Sequence, residues 1–222
     1  AAANAEGADA PAPGGAPALE VPAPVDRREA FAVPTDVSFT ALGFDRRLLD
    51  PAAPYSGAWL LASRILSYDY LWNEVRVKGG AYGCGFFTTR PGSLAFHSYR
   101  DPHIDATVQR FGEAGPWLAA LEPTADEMEG YVVSTTAGFD APLKPRDLIR
   151  RQCGMFFSGV TPAMRAQVRC QVVGATVDDV RALGGAIAQA AQRGCRCTVG
   201  SAELIEGSGL DWNVVDVLGG AR

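Results

Sequence analysis

The run Leu71-Trp72-Asn73-Glu74-Val75-Arg76-Val77-Lys78-Gly79-Gly80-Ala81-Tyr82-Gly83-Cys84-Gly85, continued by FFTTRPGSLAFHSYR to Asp101-Pro102, organises the chain. Its first residues mix charged and apolar side chains as the end of a helix does. Gly79, Gly80, Gly83 and Gly85 then let the backbone turn and approach a neighbour closely, because glycine has no Cβ to forbid it. Two β-like runs follow, Tyr82 to Thr89 and Ser93 to Tyr99, joined by Arg90-Pro91-Gly92. The stretch therefore predicts helix, glycine corner and hairpin. A guanidinium, Arg76, and a phenol, Tyr82, stand among the glycines, which makes the corner a candidate binding surface.

Working outward, Leu61, Ile65, Tyr68, Trp72 and Val75 recur at steps of four, three, four and three after Pro51 and Pro54. That spacing predicts one apolar helical stripe buried as core, carrying the helix into Arg76. Upstream, Ala30 to Val33 and Val37 to Ala41 alternate as a half-covered strand does. Residues 1–25 hold ten Ala, five Pro and three Gly with few large apolar side chains. They cannot bury enough surface to offset the entropy of ordering, so residues 1–27 read as a disordered linker and 28–222 as the folded domain.

Downstream, helices dominate. One is expected over 106–121, started by Asp101-Pro102 or Asp105 and interrupted near Gly112 to Pro116. Thr124-Ala125-Asp126-Glu127 has a capping-box pattern and opens a second, to about Ala137. Pro145 and Asp147 open a third to about Ser158, Thr161-Pro162 a fourth, and Thr176 caps a last helix that stops at Gly194. Cys195 to Gly200 and Trp212 to Leu218 read as returning strands, with a short helix or turn at Ser201 to Ile205. The order predicts an α+β fold: a mainly antiparallel sheet with helices layered on one face.

At 222 residues and 47% apolar content the chain can bury a sizeable core. Its net charge of -5, with no basic run, argues against a nucleic-acid partner. No run approaches the roughly 18 apolar residues of a membrane-spanning helix, so no membrane partner is expected. Neither a secretory signal nor an arginine-rich transit peptide opens the sequence, and any targeting signal would lie upstream. The five scattered cysteines, 84, 153, 170, 195 and 197, favour a reducing, intracellular compartment over a disulfide framework. Cys195 and Cys197 flank Arg196 and are expected to share one strand face as small core residues.

The sequence offers no metal-site pattern. Its two histidines, His97 and His103, belong to no arrangement that would put two imidazoles on one helical face. Asp101 is expected to cap a helix while Arg100 anchors the loop by an ion pair. Arg146 and Arg150, at i and i+4, read as a solvated face. A phosphate cradle is disfavoured because the glycines follow a helix and open a strand, the reverse of the dinucleotide fingerprint. Cys84 in the corner would need a histidine base to act as a nucleophile.

The strings LWNEVRV at 71–77, GGAYG at 79–83 and SYRDP at 98–102 resemble the C-terminal half, and its last domain, of the insulinase-like (pitrilysin-type) zinc metallopeptidases, nearest the presequence-protease branch. The resemblance implies a mitochondrial-processing-peptidase-like metallohydrolase fold and a zinc cofactor held outside this chain. It also implies an N-terminal zinc-bearing half as partner and short unstructured peptides as substrates. Arg76 and Tyr82 would then reach across a chamber to the zinc site and stabilise the oxyanion, with Gly79 and Gly80 contacting the substrate backbone. The chain alone would be inactive. By the same resemblance the compartment would be mitochondrial or plastid in a eukaryote and cytoplasmic in a bacterium. Two other readings stand beside this one. Arg76 could pair with Glu74 or Asp69 while Tyr82 packs in the core, or the fold could serve a non-catalytic binding or scaffold protein.

Overall fold

A computed structural model describes residues 27–50 and 54–217. The expected linker lies, but for Arg27, outside them, as do Pro51 and Leu218. Six strands form one sheet in the order β3-β4-β2-β5-β1-β6. They are β1 (Arg28–Ala32), β2 (Ser38–Asp45), β3 (Gly83–Thr88), β4 (Ser93–Asp101), β5 (Cys195–Gly200) and β6 (Asn213–Asp216). The sheet is antiparallel from β3 through β4 and β2 to β5, then parallel where β1 pairs with β5 and β6. Leu42, Phe86, Leu94 and Phe96 point to one face and join the main core under the helices. On the opposite face Phe39, Phe87 and Tyr99 remain exposed.

The organising helix begins as α1 (Gly57–Ile65) and continues without a break as a π-helix, Leu66–Val77. Its bonding is i→i+5, as in Lys78 N–H donating to the carbonyl of Asn73 at 3.0 Å. Long π-helical stretches are rare, and this one changes which side chains are core. Ile65, Tyr70 and Val75, and likewise Leu61, Leu66 and Leu71, recur at steps of five and are all buried. The stripe expected from α-helical spacing is thus corrected: Leu61, Ile65 and Val75 are inside, but Tyr68 and Trp72 are 53% and 39% exposed. The wider turn rotates them to the solvent side. Ser67 ties this helix to β3, its Oγ donating to Phe86 O at 3.1 Å and accepting from Phe86 N–H at 3.0 Å.

The helix α2 (Ile104–Ala119) runs unbroken through Gly112 and Pro116, where an interruption was expected. Gly115 is there for a crossing. A Cβ on it would lie 2.5 Å from the backbone nitrogen of Ala188, and one on Gly184 would lie 2.7 Å from Gly115 O. The backbones of α2 and of α7 (Gly184–Arg193) therefore touch. The single last helix expected from Thr176 to Gly194 is two, α6 (Val177–Arg181) and α7, the chain bending at Ala182 and Leu183. Between α2 and α6 lie α3 (Ala125–Asp140), α4 (Pro145–Phe157) and α5 (Pro162–Val173), and α8 (Ala202–Gly207) follows β5. The capping box expected at Thr124 with Glu127 forms, and Thr176, expected as a cap, makes a second one with Asp179. Cys195 and Cys197 do share a strand face, opposite Gly43 and Ala41. It is the uncovered face, however, and Cys195 is exposed rather than core.

The crossing gives a contrast between two glycines on one helix. Gly115→Ala is expected to cost about 1–3 kcal/mol because the neighbouring backbone must move. Gly112→Ala, with nothing within 4 Å of its added methyl, is expected to be neutral or stabilising by up to about 1 kcal/mol. Urea denaturation midpoints of the two variants check this, and equal midpoints would refute the crossing.

Candidate functional site

Arg76 leaves the π-helix one residue after buried Val75, and the chain reverses at once. Gly80 N–H donates to Arg76 O at 3.0 Å and Ala81 N–H to Val75 O at 3.2 Å. Two glycines make this corner possible. Gly80 has φ 81°, and a Cβ on Gly79 would lie 2.5 Å from Val75 O. Tyr82 follows, and Arg76 Nε–H donates to its carbonyl at 3.0 Å. The two predicted residues are thereby locked to one another across the corner.

Both face solvent on the same side. Tyr82 is 61% exposed, so it is not a core aromatic. Nor is Arg76 held by the carboxylates that flank it in sequence. Glu74 accepts from Lys78 Nζ at 2.6 Å and lies 3.7 Å from Arg110, while Asp69 accepts from the Tyr131 hydroxyl. Among the described residues no carboxylate comes within ion-pair distance of Arg76.

What holds Arg76 instead is an aromatic surface. Its guanidinium carbon lies 3.8 Å from the Trp72 ring centre. Trp72 stacks on Tyr68 at 6.4 Å, and Arg64 covers Tyr68 at 3.9 Å. Residues 64, 68, 72 and 76 thus form a cation–aromatic ladder along the outside of the helix. Tyr68 and Trp72, read from the sequence as core, are the support of Arg76. The signal was a pair of aromatics flanked by arginines at steps of four, Arg64-Tyr68-Trp72-Arg76, which α-helical core spacing masked.

The Tyr82 ring meets Tyr99 edge-on at 5.5 Å, and the Arg100 guanidinium lies 6.0 Å over it. A depression of about 520 Å³ is lined by Arg76, Val77, Gly80, Ala81, Tyr82 and Arg100. The expectation that Arg100 anchors the loop through an ion pair is corrected, since no carboxylate among the described residues is within reach of it. Asp101 keeps a structural part: it is fully buried and accepts from His103 N–H at 2.9 Å and from Thr107 Oγ1 at 2.7 Å.

The remaining candidates fall outside this surface. Cys84 donates from Sγ to Leu71 O at 3.2 Å. Burial first, and the charge of Asp101 second, push its pKa up to about 11, which leaves a poor nucleophile. His97 is half-buried, its ring lying over Gly85 on the open sheet face, and burial lowers its pKa. Among the described residues no group of three or more His, Cys, Asp or Glu could hold a metal ion. No helix among them is long and apolar enough to cross a membrane. Arg146 and Arg150 are exposed on α4.

Residues 28–199 match a protein-family model described as the PreP C-terminal domain. Protein HypA of Clostridium perfringens is 32% identical over 152 residues, covering 68% of this chain and 16% of that protein. The mitochondrial presequence protease of Yarrowia lipolytica is 28% identical over 168 residues, covering 73% and 16%. The chain thus spans about a sixth of the length of the curated relatives it matches. In fold it is similar to a crystal structure of a peptidase M16 inactive domain from Pseudomonas fluorescens (TM-score 0.57, 17% identity, 82% of this chain and 45% of that one). It is also similar to a putative zinc protease from Bordetella pertussis (TM-score 0.53, 19% identity, 75% and 94%). With a family model matched along most of its length and a fold similar to that of M16 peptidase domains, the chain belongs to the PreP C-terminal domain family.

Proposed function

We propose that this chain is the substrate-facing, metal-free portion of a zinc endopeptidase that degrades short unstructured peptides. The observation that carries the reading is the corner itself. Arg76 and Tyr82 are joined by a 3.0 Å hydrogen bond, both line one open depression, and no carboxylate among the described residues competes for Arg76. Peptide hydrolysis places negative charge on the former carbonyl oxygen, and fixed donors aimed at that charge lower the barrier.

Each residue has a distinct task in this reading. The Nε–H of Arg76 is spent on the Tyr82 carbonyl, which orients the guanidinium and leaves its terminal amino groups to face the substrate. The Tyr82 hydroxyl is a second donor on a ring steadied by Tyr99. Gly79 and Gly80 carry no side chain between the corner and a peptide backbone. Zinc would supply the activated water from a partner half carrying the metal ligands, because the described residues of this chain offer no set that fits it. Five free cysteines accord with a reducing compartment. Relatives named as mitochondrial or chloroplastic make an organelle a natural setting in a eukaryote, with the cytoplasm its bacterial counterpart.

Three outcomes are expected. In an enzyme containing both halves, Arg76→Ala and Tyr82→Phe each lower kcat on a quenched peptide by roughly 100- to 1000-fold with the fold intact by circular dichroism. Unchanged kcat/KM would instead favour the non-catalytic binding or scaffold reading. Trp72→Ala, which removes the surface under Arg76, is expected to lower kcat by about two- to fivefold, the worth of an exposed cation–aromatic contact. Finally, the purified chain by itself should leave the peptide uncut over hours, and cleavage should appear on adding a zinc-bearing half.

A further inference from the structure

We infer that Arg100 builds a carboxylate-binding subsite beside Arg76 and Tyr82, one that recognises an acidic group of the bound peptide; this rests on the proposed reading of the same corner. The first support is backbone geometry. In the ladder between β2 and β4, Ser38 pairs with Asp101 and Phe39 with Tyr99, leaving Arg100 as the extra residue of a β-bulge. Bulges re-aim side chains and occur near functional sites. Arg100 is the one non-glycine among the described residues with positive φ, 49°, a conformation that favours glycine.

The bulge is held from both sides. Arg100 O accepts from Tyr82 N–H at 3.2 Å, and Asp101 O accepts from Ser38 Oγ at 2.9 Å. The result is that a guanidinium is carried out of the sheet and set over the Tyr82 ring, on the rim of the depression that Arg76 also lines. A purely structural bulge would be served better by glycine, which adopts this φ without strain. The side chain must therefore be sought as the reason for the arginine.

Electrostatics names the ligand. Among the described residues two guanidiniums line this depression and no acidic side chain does, on a chain whose net charge is -5. A guanidinium free of a protein carboxylate presents a planar fork that matches an incoming carboxylate. On a peptide, that carboxylate is either the C-terminal one or a Glu or Asp side chain.

Isothermal titration on the chain itself, at low and at moderate salt, separates the sources. Four peptides share one uncharged sequence: a free C-terminal acid, its amide, and amides carrying one internal Glu or one internal Gln. At least one acid-bearing peptide should bind roughly tenfold tighter than its neutral counterpart, with the advantage shrinking in salt. Arg100→Gln should remove that preference and Arg100→Lys should keep part of it. Arg100→Gly should remove it while raising Tm by about 2–4 °C through relief of backbone strain. Equal binding of acid and amide, no binding at millimolar peptide, or a preference surviving in Arg100→Gln would overturn the subsite. So would a lower Tm in Arg100→Gly, which would make the arginine a structural part of the bulge. Because titration needs neither zinc nor turnover, an acid preference alongside unchanged cleavage by Arg76→Ala and Tyr82→Phe would uphold the subsite and sink only the catalytic reading.

Discussion

The period of the helix that packs on the sheet is the constraint on which the rest depends. Over Leu66–Val77 the backbone bonds i→i+5, so two rows at steps of five, Leu61-Leu66-Leu71 and Ile65-Tyr70-Val75, are buried together against Phe86 and Phe96. Burying a large apolar side chain is worth about 1.5–3 kcal/mol, and six of them outweigh poorer π-helical hydrogen bonding. The same rotation drives Tyr68 and Trp72 outward, where they stack with Arg64 and Arg76. One helix thus has an inner face that fixes it to the sheet and an outer ridge that ends in a supported guanidinium.

Sheet topology then decides what Arg76 meets. Strand β3 lies at the edge of the order β3-β4-β2-β5-β1-β6, so the corner that feeds it sits at the rim of the molecule. Gly83 and Gly85 on β3 leave room for the rings of Tyr99 and His97 from β4; a Cβ on Gly83 would lie 2.1 Å from the Tyr99 ring. Tyr99 leans over the strand and reaches Tyr82. The bulge at Arg100 adds a second cation from the same strand. Helix end, edge strand and bulge converge on one depression, though Arg76, Tyr82 and Arg100 come from different elements.

Charge is arranged to match. The acids nearest Arg76 in sequence are occupied, Glu74 by Lys78 and Arg110 and Asp69 by Tyr131. Asp101, next to Arg100, is turned inward to bond His103 N–H and Thr107. The ion pairs of Glu74 with Lys78 and Arg110, both partly exposed, contribute little to stability. The consequence is local: among the described residues no carboxylate pairs with either guanidinium at the depression, and Arg76 gives only its Nε–H to the Tyr82 carbonyl.

Most of the order of elements, the glycine corner, the hairpin turn, the capping box at Thr124, the helix cap at Thr176 and the pairing of Arg76 with Tyr82 as candidates could be read from the amino acids. Those features are local, set by glycine's missing Cβ, by side-chain caps and by the two-residue alternation of strands. Packing decided the rest. Whether Trp72 was core or support depended on a helical period that the sheet imposes, and whether Gly115 interrupted a helix depended on α7 pressing against it. The placing of Cys195 on an open face and of Arg100 in a bulge depended on strand register. Period, register and close approach are set by contacts between residues far apart in the chain, and no window of neighbouring letters contains them.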